Sequence, residues 1–211
     1  MVQFSLVDPT QGREAYQWHR GFAASNDHLF PRTWKTYEAL AENGQIWCAR
    51  DGEDYLGLAY FHLQGDECEV GGLMVATSQR SKGIGSTLAC LTLGHVLFEE
   101  DPLSRGVRIV AHVHSENNPG PRPIFRHLLK FSLARQVNIP GRELPGLKTN
   151  AEGFVVGDEF HLTKPDTLKA LADWCRKWSG GTKDGRRAEI ELGPETSLDT
   201  WAQAFDDMTS R

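Results

Sequence analysis

Cysteine is scarce in this chain of 211 residues, and the four cysteines that are present lack the CxxC spacing of metal and redox sites. They are scattered through apolar segments, as is typical of reduced thiols, so we expect a cytoplasmic protein. Apolar runs are short, and none approaches the ~20 residues that a membrane span needs. The first nine residues also lack a basic run and a long apolar stretch, so we expect no signal peptide and no membrane partner.

Positive charge is in short supply as well, because 28 Asp and Glu outnumber 23 Lys and Arg and leave a net charge of −5. Binding to nucleic acid depends on clustered positive charge, so we expect no nucleic-acid partner. A mildly acidic chain suits an amine or another cationic substrate, although the same charge also serves solubility. The hydrophobic content of 39% is that of a globular protein with a sizeable core.

Hydrophobic periodicity predicts an α/β fold. The turn pairs Asp51-Gly52 and Gly65-Asp66 separate three strand-like runs and indicate an antiparallel meander. A later succession of strand, helix and strand predicts a parallel pair, because parallel strands need such a crossover. In chain order we predict a strand at 3–7, helices at 11–22 and 33–43, strands at 46–50, 55–63 and 67–75, a helix at 84–98, a strand at 107–113, a short helix at 124–129 and a strand at 154–163.

Pro165 separates a predicted main domain, residues 1–164, from a C-terminal helical appendage, residues 165–211. The appendage is predicted to consist of a helix at 166–178, a polar linker at 180–187 and a helix at 198–208. Each helix carries an apolar stripe of aromatic residues spaced by four, at 174 and 178 and at 201 and 205. We expect these stripes to pack on the main domain, and the alternative is a contact within a homodimer.

The most informative stretch is residues 73–86, where a predicted strand runs into a glycine turn that opens a helix. A helix N-terminus leaves backbone N–H groups unpaired and carries partial positive charge, so it favours an anion. Gly83 and Gly85 let phosphates approach the backbone without an intervening Cβ. Arg80 and Lys82 add positive charge beside them. The pattern predicts a pyrophosphate site.

The spacing Arg80-x-x-Gly83-x-Gly85 resembles the acetyl-CoA signature of the GNAT superfamily of N-acetyltransferases. The preceding Leu73-x-Val75 is similar to the strand that leads into that signature. The resemblance spans residues 2–163 in the order of elements. It implies a GNAT-like mixed, mostly antiparallel twisted sheet with a splayed parallel pair of central strands, flanked by helices.

The same resemblance implies acetyl-CoA as co-substrate and assigns residues to it. The pyrophosphate would be held by Arg80, Ser81, Lys82, Gly83, Ile84, Gly85 and Ser86, and the pantetheine arm would pair with the backbone of Leu73, Met74 and Val75. A second family motif is matched by Asn118 and Phe125, which would contact the other flank of the cofactor. Phe125 stands where many members carry a Tyr that protonates the departing thiolate, and phenylalanine has no proton to give.

Transfer to an amine needs a base and a polarised thioester carbonyl. Glu69, on the strand before the glycine turn, is the first candidate for the base, and strand alternation places it on one face with Gly71 and Leu73. His112 and His114 alternate on the next strand, and either could be the base instead. Their His-x-His spacing also fits a metal, but no third ligand is apparent, so we expect no metal.

The amides of residues 73–75 are the expected donors to the carbonyl oxygen, and Gly71-Gly72 could bulge the strand to aim them. The loop at 23–34 is expected to meet the acceptor, where Asp27 would draw an amine and Arg32 would suit a carboxylate. We therefore predict an N-acetyltransferase that acts on a small-molecule or peptide amine by direct attack. The alternative is a non-catalytic CoA-binding sensor or regulatory protein.

Overall fold

A computed structural model describes residues 1–114, 120–180, 182–183, 186–194 and 196–210. The strands are β1 Val2–Leu6, β2 Ile46–Asp51, β3 Asp54–Gln64, β4 Glu67–Val75, β5 Arg108–His114, β6 Ser132–Pro140, β7 Phe154–His161, β8 Thr182–Lys183 and β9 Arg186–Ile190. The helices are α1 Gly12–Ala24, α2 Trp34–Glu42, α3 Ile84–Glu99, α4 Pro121–Pro123, α5 Asp166–Trp178 and α6 Leu198–Thr209, and a π-helical turn at Ile124–Leu128 directly follows α4.

The strands form one mixed sheet in the order β6-β7-β5-β4-β3-β2-β1-β9-β8. The pairs β4–β5 and β1–β9 are parallel, and the other pairs are antiparallel. This arrangement confirms the predicted mixed, mostly antiparallel α/β fold. The meander of β2, β3 and β4 follows from its two short turns, where Gly52 and Gly65 adopt the positive φ values of 62° that such turns favour.

The two central parallel strands separate after three residue pairs. Their register runs from Glu67–Arg108 to Glu69–Val110, while β4 continues to Val75 and β5 to His114. The splay that the resemblance implies is therefore confirmed. Beyond this point the β4 edge that faces β5 is not engaged in the sheet ladder, so its backbone groups can bind a ligand.

A β-bulge in β4 changes which side chains face the site. Gly71 pairs with Tyr60 and Met74 with Leu58, so two β4 residues stand opposite one β3 residue. Our expectation that Leu73 shares a face with Glu69 was wrong, because the extra residue turns Leu73 to the other face, where it packs with the cluster around α3. Met74 instead joins the cluster beneath α1 and α2.

The core lies in two layers, one on each face of the sheet. One layer surrounds α3, which is buried on almost all sides, and the other lies between the sheet and the α1–α2 pair. The C-terminal helices α5 and α6 complete the α3 layer. Gly94 of α3 admits the indole of Trp201, since a Cβ at that glycine would stand 2.5 Å from the ring. Trp201 of α6 also lies against Phe98 of α3, with the ring centroids 5.9 Å apart.

Three strands were missing from the sequence prediction, namely β6, β8 and β9. The predicted polar linker at 180–187 contains β8 and the start of β9. β9 pairs in parallel with β1 through Val2–Ala188 and its neighbours. The C-terminal segment thus extends the main sheet, although the domain boundary at residue 165 stays a prediction. β6 was missed because it is an edge strand with mostly exposed side chains, so it lacks the alternation that identifies a strand.

Within the described part of the chain, no helix has the length and apolarity to cross a membrane. All four cysteines are buried.

Candidate active site

The turn between β4 and α3 has the geometry of an anion site. Gly83 is the N-cap of α3 with φ +86°, and Ser81 before it also has a positive φ of 63°. The side chains of Arg80 and Lys82 are exposed on the same turn, and Lys82 Nζ donates to Gln79 Oε1 at 3.0 Å. The first N–H groups of α3 have no intrahelical acceptors, so they and the two cations present positive charge to the solvent.

A cavity of about 800 Å³ lies between this turn and the loop after α1. Its volume falls in the range of ~300–1,000 Å³ that is usual for small-molecule sites. The predicted cofactor residues that line it are Leu73, Val75, Arg80, Ser81, Gly83, Ile84, Gly85 and Ser86. The side of the cavity opposite the turn is formed by residues 25–29, which belong to the predicted acceptor loop. A cradle of this shape fits a pyrophosphate with an extended arm.

Three of the predicted cofactor residues that the structure describes do not line this cavity. Met74 is buried between the sheet and α2, so only its backbone is near the splay. Lys82 lines a neighbouring cavity that shares the turn. Phe125 is 2% exposed and packs against Phe131 and Phe160, while its neighbour Ile124 lines the 800 Å³ cavity instead. Asn118 lies outside the described residues.

The two candidate catalytic residues Glu69 and His112 belong to one chain of ion pairs on the α1–α2 side of the sheet. Arg32 Nη2 donates to Glu69 Oε2 at 3.0 Å, and His112 Nδ1 lies 3.3 Å from Glu69 Oε1. The other ring nitrogen, His112 Nε2, lies 3.5 Å from Glu159 Oε2. Glu159 is in turn bound by Arg135 at 2.8 Å and by His161 at 2.6 Å. We call Arg32, Glu69, His112 and Glu159 the ion-pair chain.

The ion-pair chain shifts the pKa values of its members. Hydrogen bonding to Glu69 raises the pKa of His112 against the opposing effect of burial, because each ring nitrogen faces a carboxylate that only accepts. Burial acts to raise the pKa of Glu69, but its hydrogen bond with His112 and the charge of Arg32 outweigh burial and lower it. Burial also acts to raise the pKa of Glu159. The hydrogen bonds from His161 and Arg135 outweigh burial and lower this pKa to about 2.

Glu69 is thus an anion that can attract an ammonium group, and a protonated His112 cannot also serve as a base. The side chain of Arg32 is occupied by Glu69 and by Tyr60 Oη, which accepts from Nε at 3.0 Å. The alternative in which Arg32 recognises a carboxylate therefore has no support in this arrangement. Sequence reasoning missed Glu159, whose only signal was its alternation with His161 on one strand.

We expect His112 to titrate above the ordinary histidine value of ~6.5, and its pKa to fall in Glu69→Gln, because the amide keeps the shape but removes the charge. Protonation of His112 then stabilises the fold fully below its unfolded pKa, and this stabilisation is lost as pH rises through the folded pKa. Heteronuclear NMR of the imidazole against pH measures the shift. An unchanged titration of His112 in Glu69→Gln would contradict the contact.

His114 offers a different kind of base. Its side chain is buried and stacks on His28 with the ring centroids 4.9 Å apart, and Nε2 lies 2.9 Å from the carbonyl oxygen of Lys148. Because a carbonyl can only accept, Nε2 carries the proton, and in the neutral ring Nδ1 keeps its lone pair. Nδ1 is buried and has no hydrogen-bond partner among the residues that the structure describes. That atom is able to accept a proton.

The His-x-His spacing on β5 also fits a metal ligand pair. The described residues contain no group of three or more His, Cys, Asp or Glu side chains placed to hold a metal ion. The two histidines have separate partners, since His112 binds carboxylates and His114 binds a backbone carbonyl.

Residues 13–123, just over half of the chain, match the model of the Acetyltransferase (GNAT) family. The chain therefore belongs to the GNAT acetyltransferase family, a class that its splayed sheet and glycine turn already define. A search of curated proteins found no match.

Solved structures share the fold at low sequence identity. The ribosomal-protein-S18-alanine N-acetyltransferase of Escherichia coli is 18% identical, with a TM-score of 0.53 over 77% of this chain and 93% of the other. The acetyl-CoA complex of yncA from Salmonella typhimurium is 15% identical, with a TM-score of 0.56 over 77% and 94%. Diaminobutyrate acetyltransferase EctA of Paenibacillus lautus, bound to its substrate and coenzyme A, is 15% identical, with a TM-score of 0.53 over 77% and 95%.

Proposed function

We propose that this protein transfers an acetyl group from acetyl-CoA to a primary amine of a small molecule or peptide by direct attack. The single observation that carries the proposal is that β4 connects two features. Its edge separates from β5 beyond Glu69, and its end leads into the anion turn at Gly83. Family membership supports acetyl-CoA as the donor. Neighbours named for alanine N-acetylation and for diaminobutyrate support an amine acceptor.

The residues of the turn fit the donor. The N–H groups at the start of α3, with Arg80 and Lys82, would hold the pyrophosphate, and the free edge of β4 at Leu73 to Val75 would bind the pantetheine arm. When bound, acetyl-CoA would supply an acyl carbon that is activated by a thiolate leaving group. Backbone N–H groups beyond the bulge would donate to the carbonyl oxygen, and the bulge fixes their direction before the substrate arrives.

Glu69 would attract the amine and hold it at the splay. Its carboxylate is fixed on both sides by Arg32 and His112, so its position does not depend on the substrate. His114 Nδ1 is the second candidate for taking the proton from the amine, because it is an unbonded acceptor on the same strand face as His112. His112 is proposed to hold Glu69 in place, while Glu69 and His114 are the two proposed bases, which variants separate.

Glu69→Gln is expected to lower kcat about 100-fold, the usual cost of losing an acid–base group. The matched control is Glu67→Gln, which removes a carboxylate from the same strand where β4 and β5 are still paired, and there Glu67 binds the exposed Arg108 at 3.0 Å. Steady-state kinetics against pH measure both variants. If Glu69→Gln keeps the parental kcat while His114→Gln loses it, Glu69 is not the base and His114 is.

The experiment that tests the proposed function is a transfer assay on an amine panel. Acetyl-CoA is supplied with peptides that begin in alanine, with L-2,4-diaminobutyrate and with simple polyamines, and CoA thiol release is followed alongside mass spectrometry of the acceptor. We expect acceptor-dependent thiol release and an acetylated product. Binding of acetyl-CoA without transfer to any acceptor in the panel would contradict the proposal.

A non-catalytic CoA sensor is the second candidate, and one observation favours it. By the resemblance Phe125 would stand at the position of a thiolate-protonating Tyr, and its ring, which has no proton to give, is buried in the core. The same transfer assay separates the two functions. The cytoplasmic location and the homodimer remain predictions.

A further inference from the structure

Phe125 has no proton to give to the departing thiolate of the proposed reaction. Its ring is buried in the core, and its neighbour Ile124 lines the 800 Å³ cavity in its place. His28, on the loop after α1, lines that cavity together with Leu73 and Val75. Histidine changes its charge near neutral pH and can donate a proton there, so His28 is able to supply what Phe125 lacks.

His28 lies at the level of the splay where the thioester is expected. Its ring stacks on that of His114, at the end of β5, with the ring centroids 4.9 Å apart. The parallel register of β4 and β5, extended beyond its last pair, brings His114 level with Leu73 to within the one residue of the bulge. The backbone at Leu73 is proposed to hold the pantetheine arm, so the sulfur at the end of that arm would come close to the His28 ring.

Charges around His28 favour the protonated ring that an acid needs. Its Nε2 lies 3.3 Å from Asp27 Oδ1, and a carboxylate at this distance attracts an imidazolium. The backbone N–H of Lys148, on the β6–β7 connection, donates to the carbonyl oxygen of Asp27 at 2.8 Å and holds the loop there. Further titratable groups approach from other elements. His114 is neutral while its Nδ1 accepts, and Arg80, which lines the same cavity, would be paired with the pyrophosphate.

We propose that His28 is the catalytic acid that protonates the thiolate of coenzyme A. The inference rests on the proposed function. As the amine nitrogen bonds to the acyl carbon, the carbon–sulfur bond breaks and its electron pair goes to the sulfur. The sulfur takes the proton of the His28 imidazolium, and the base takes the proton that the amine loses. The base then releases its proton to solvent, and His28 regains one from solvent, to which its side chain is 24% exposed.

The proposed contact between His28 and the sulfur can be measured without turnover. An imidazolium beside the sulfur stabilises a thiolate, so the thiol of bound CoA should ionise at lower pH in the parent than in His28→Gln. The ultraviolet absorbance of the thiolate, recorded against pH at saturating CoA, measures this difference. Desulfo-CoA, which lacks the sulfur, is the ligand control for the absorbance of the protein itself. The same ionisation in both proteins would overturn the proposal.

Turnover gives a second readout. His28→Gln is expected to lower kcat about 100-fold, the usual cost of losing an acid–base group, while the dissociation constant of acetyl-CoA from calorimetry changes little. The parent should lose activity at high pH as His28 gives up its proton, and this high-pH fall should be absent in His28→Gln. Asp27→Asn is the matched variant, because it keeps the imidazole and removes only the carboxylate. It should move the high-pH fall to lower pH, which a merely structural role of the loop would not do.

The outcomes separate the acid role of His28 from the proposed function. A folded His28→Gln with the parental kcat and pH profile would overturn the acid role and leave the proposed function standing. If His28→Gln does not fold, Asp27→Asn decides, and an unmoved high-pH fall overturns the acid role. A parent protein that transfers to no acceptor would overturn both.

Discussion

Gly83→Asp is expected to weaken acetyl-CoA binding at least about 100-fold, the largest effect of any single change at the turn. A carboxylate at the N-cap of α3 would lie beside the site of the pyrophosphate. Two unit charges 4 Å apart repel by roughly 4 kcal/mol at an effective dielectric constant of ~20, which exceeds the loss needed. Calorimetric titration measures the dissociation constant directly.

Gly83→Asn is the matched control, because it has the shape of Asp without the charge. Both side chains must adopt φ near +86°, a conformation that Asn and Asp tolerate better than other residues. Any cost of backbone strain is therefore common to the two variants. Equal weakening by Asp and Asn would mean that backbone strain or the bulk of the added side chain, and not charge, causes the loss, and would contradict the predicted charge repulsion.

Gly72→Ala is expected to destabilise the fold by about 3 kcal/mol, from ~1–2 kcal/mol for a left-handed conformation and ~1–3 kcal/mol for overpacking. Gly72 has φ +58°, and a Cβ there would overlap the ring of the buried Tyr60. For a chain of this size, the melting temperature should fall by about 10 °C. Thermal unfolding followed by circular dichroism measures it.

Activity should fall together with stability in this variant. Tyr60 Oη accepts from Arg32 Nε, so displacing the ring loosens the hold of Arg32 on Glu69. Gly71→Ala is the control, since a Cβ at Gly71 meets nothing closer than Glu69 Oε1 at 3.7 Å. A Gly72→Ala protein with the parental melting temperature would show that the bulge has another cause than the lack of a side chain.

The parts of the fold that could be predicted from sequence are those specified by residues that are close together in the chain. Asp51-Gly52 and Gly65-Asp66 encode tight turns, so the meander and the location of Glu69 on β4 could be predicted. The glycine turn was found because Gly83 and Gly85 precede an apolar helical pattern. Each of these signals lies within a few residues of the structure that it specifies.

The remaining features depend on contacts between residues that are distant in the chain. β9 is a strand because it pairs with β1 at the other end of the chain, and its polar lead-in gave no sign of that pairing. The bulge reverses the facing of Leu73 because Tyr60 lies beneath Gly72, which strict alternation cannot anticipate. Glu159 reaches His112 through the β5–β7 register, in which the two residues are direct partners.

The most direct test of the account is the crystal structure of the protein grown with acetyl-CoA. We predict a pyrophosphate on the first N–H groups of α3 and a thioester carbonyl within hydrogen-bond distance of the β4 backbone at Leu73 to Val75, on the side that faces the splay. Glu69 should then lie on the acceptor side of the thioester. A cofactor bound away from the Gly83 turn, or a thioester directed away from the splay, would contradict the account.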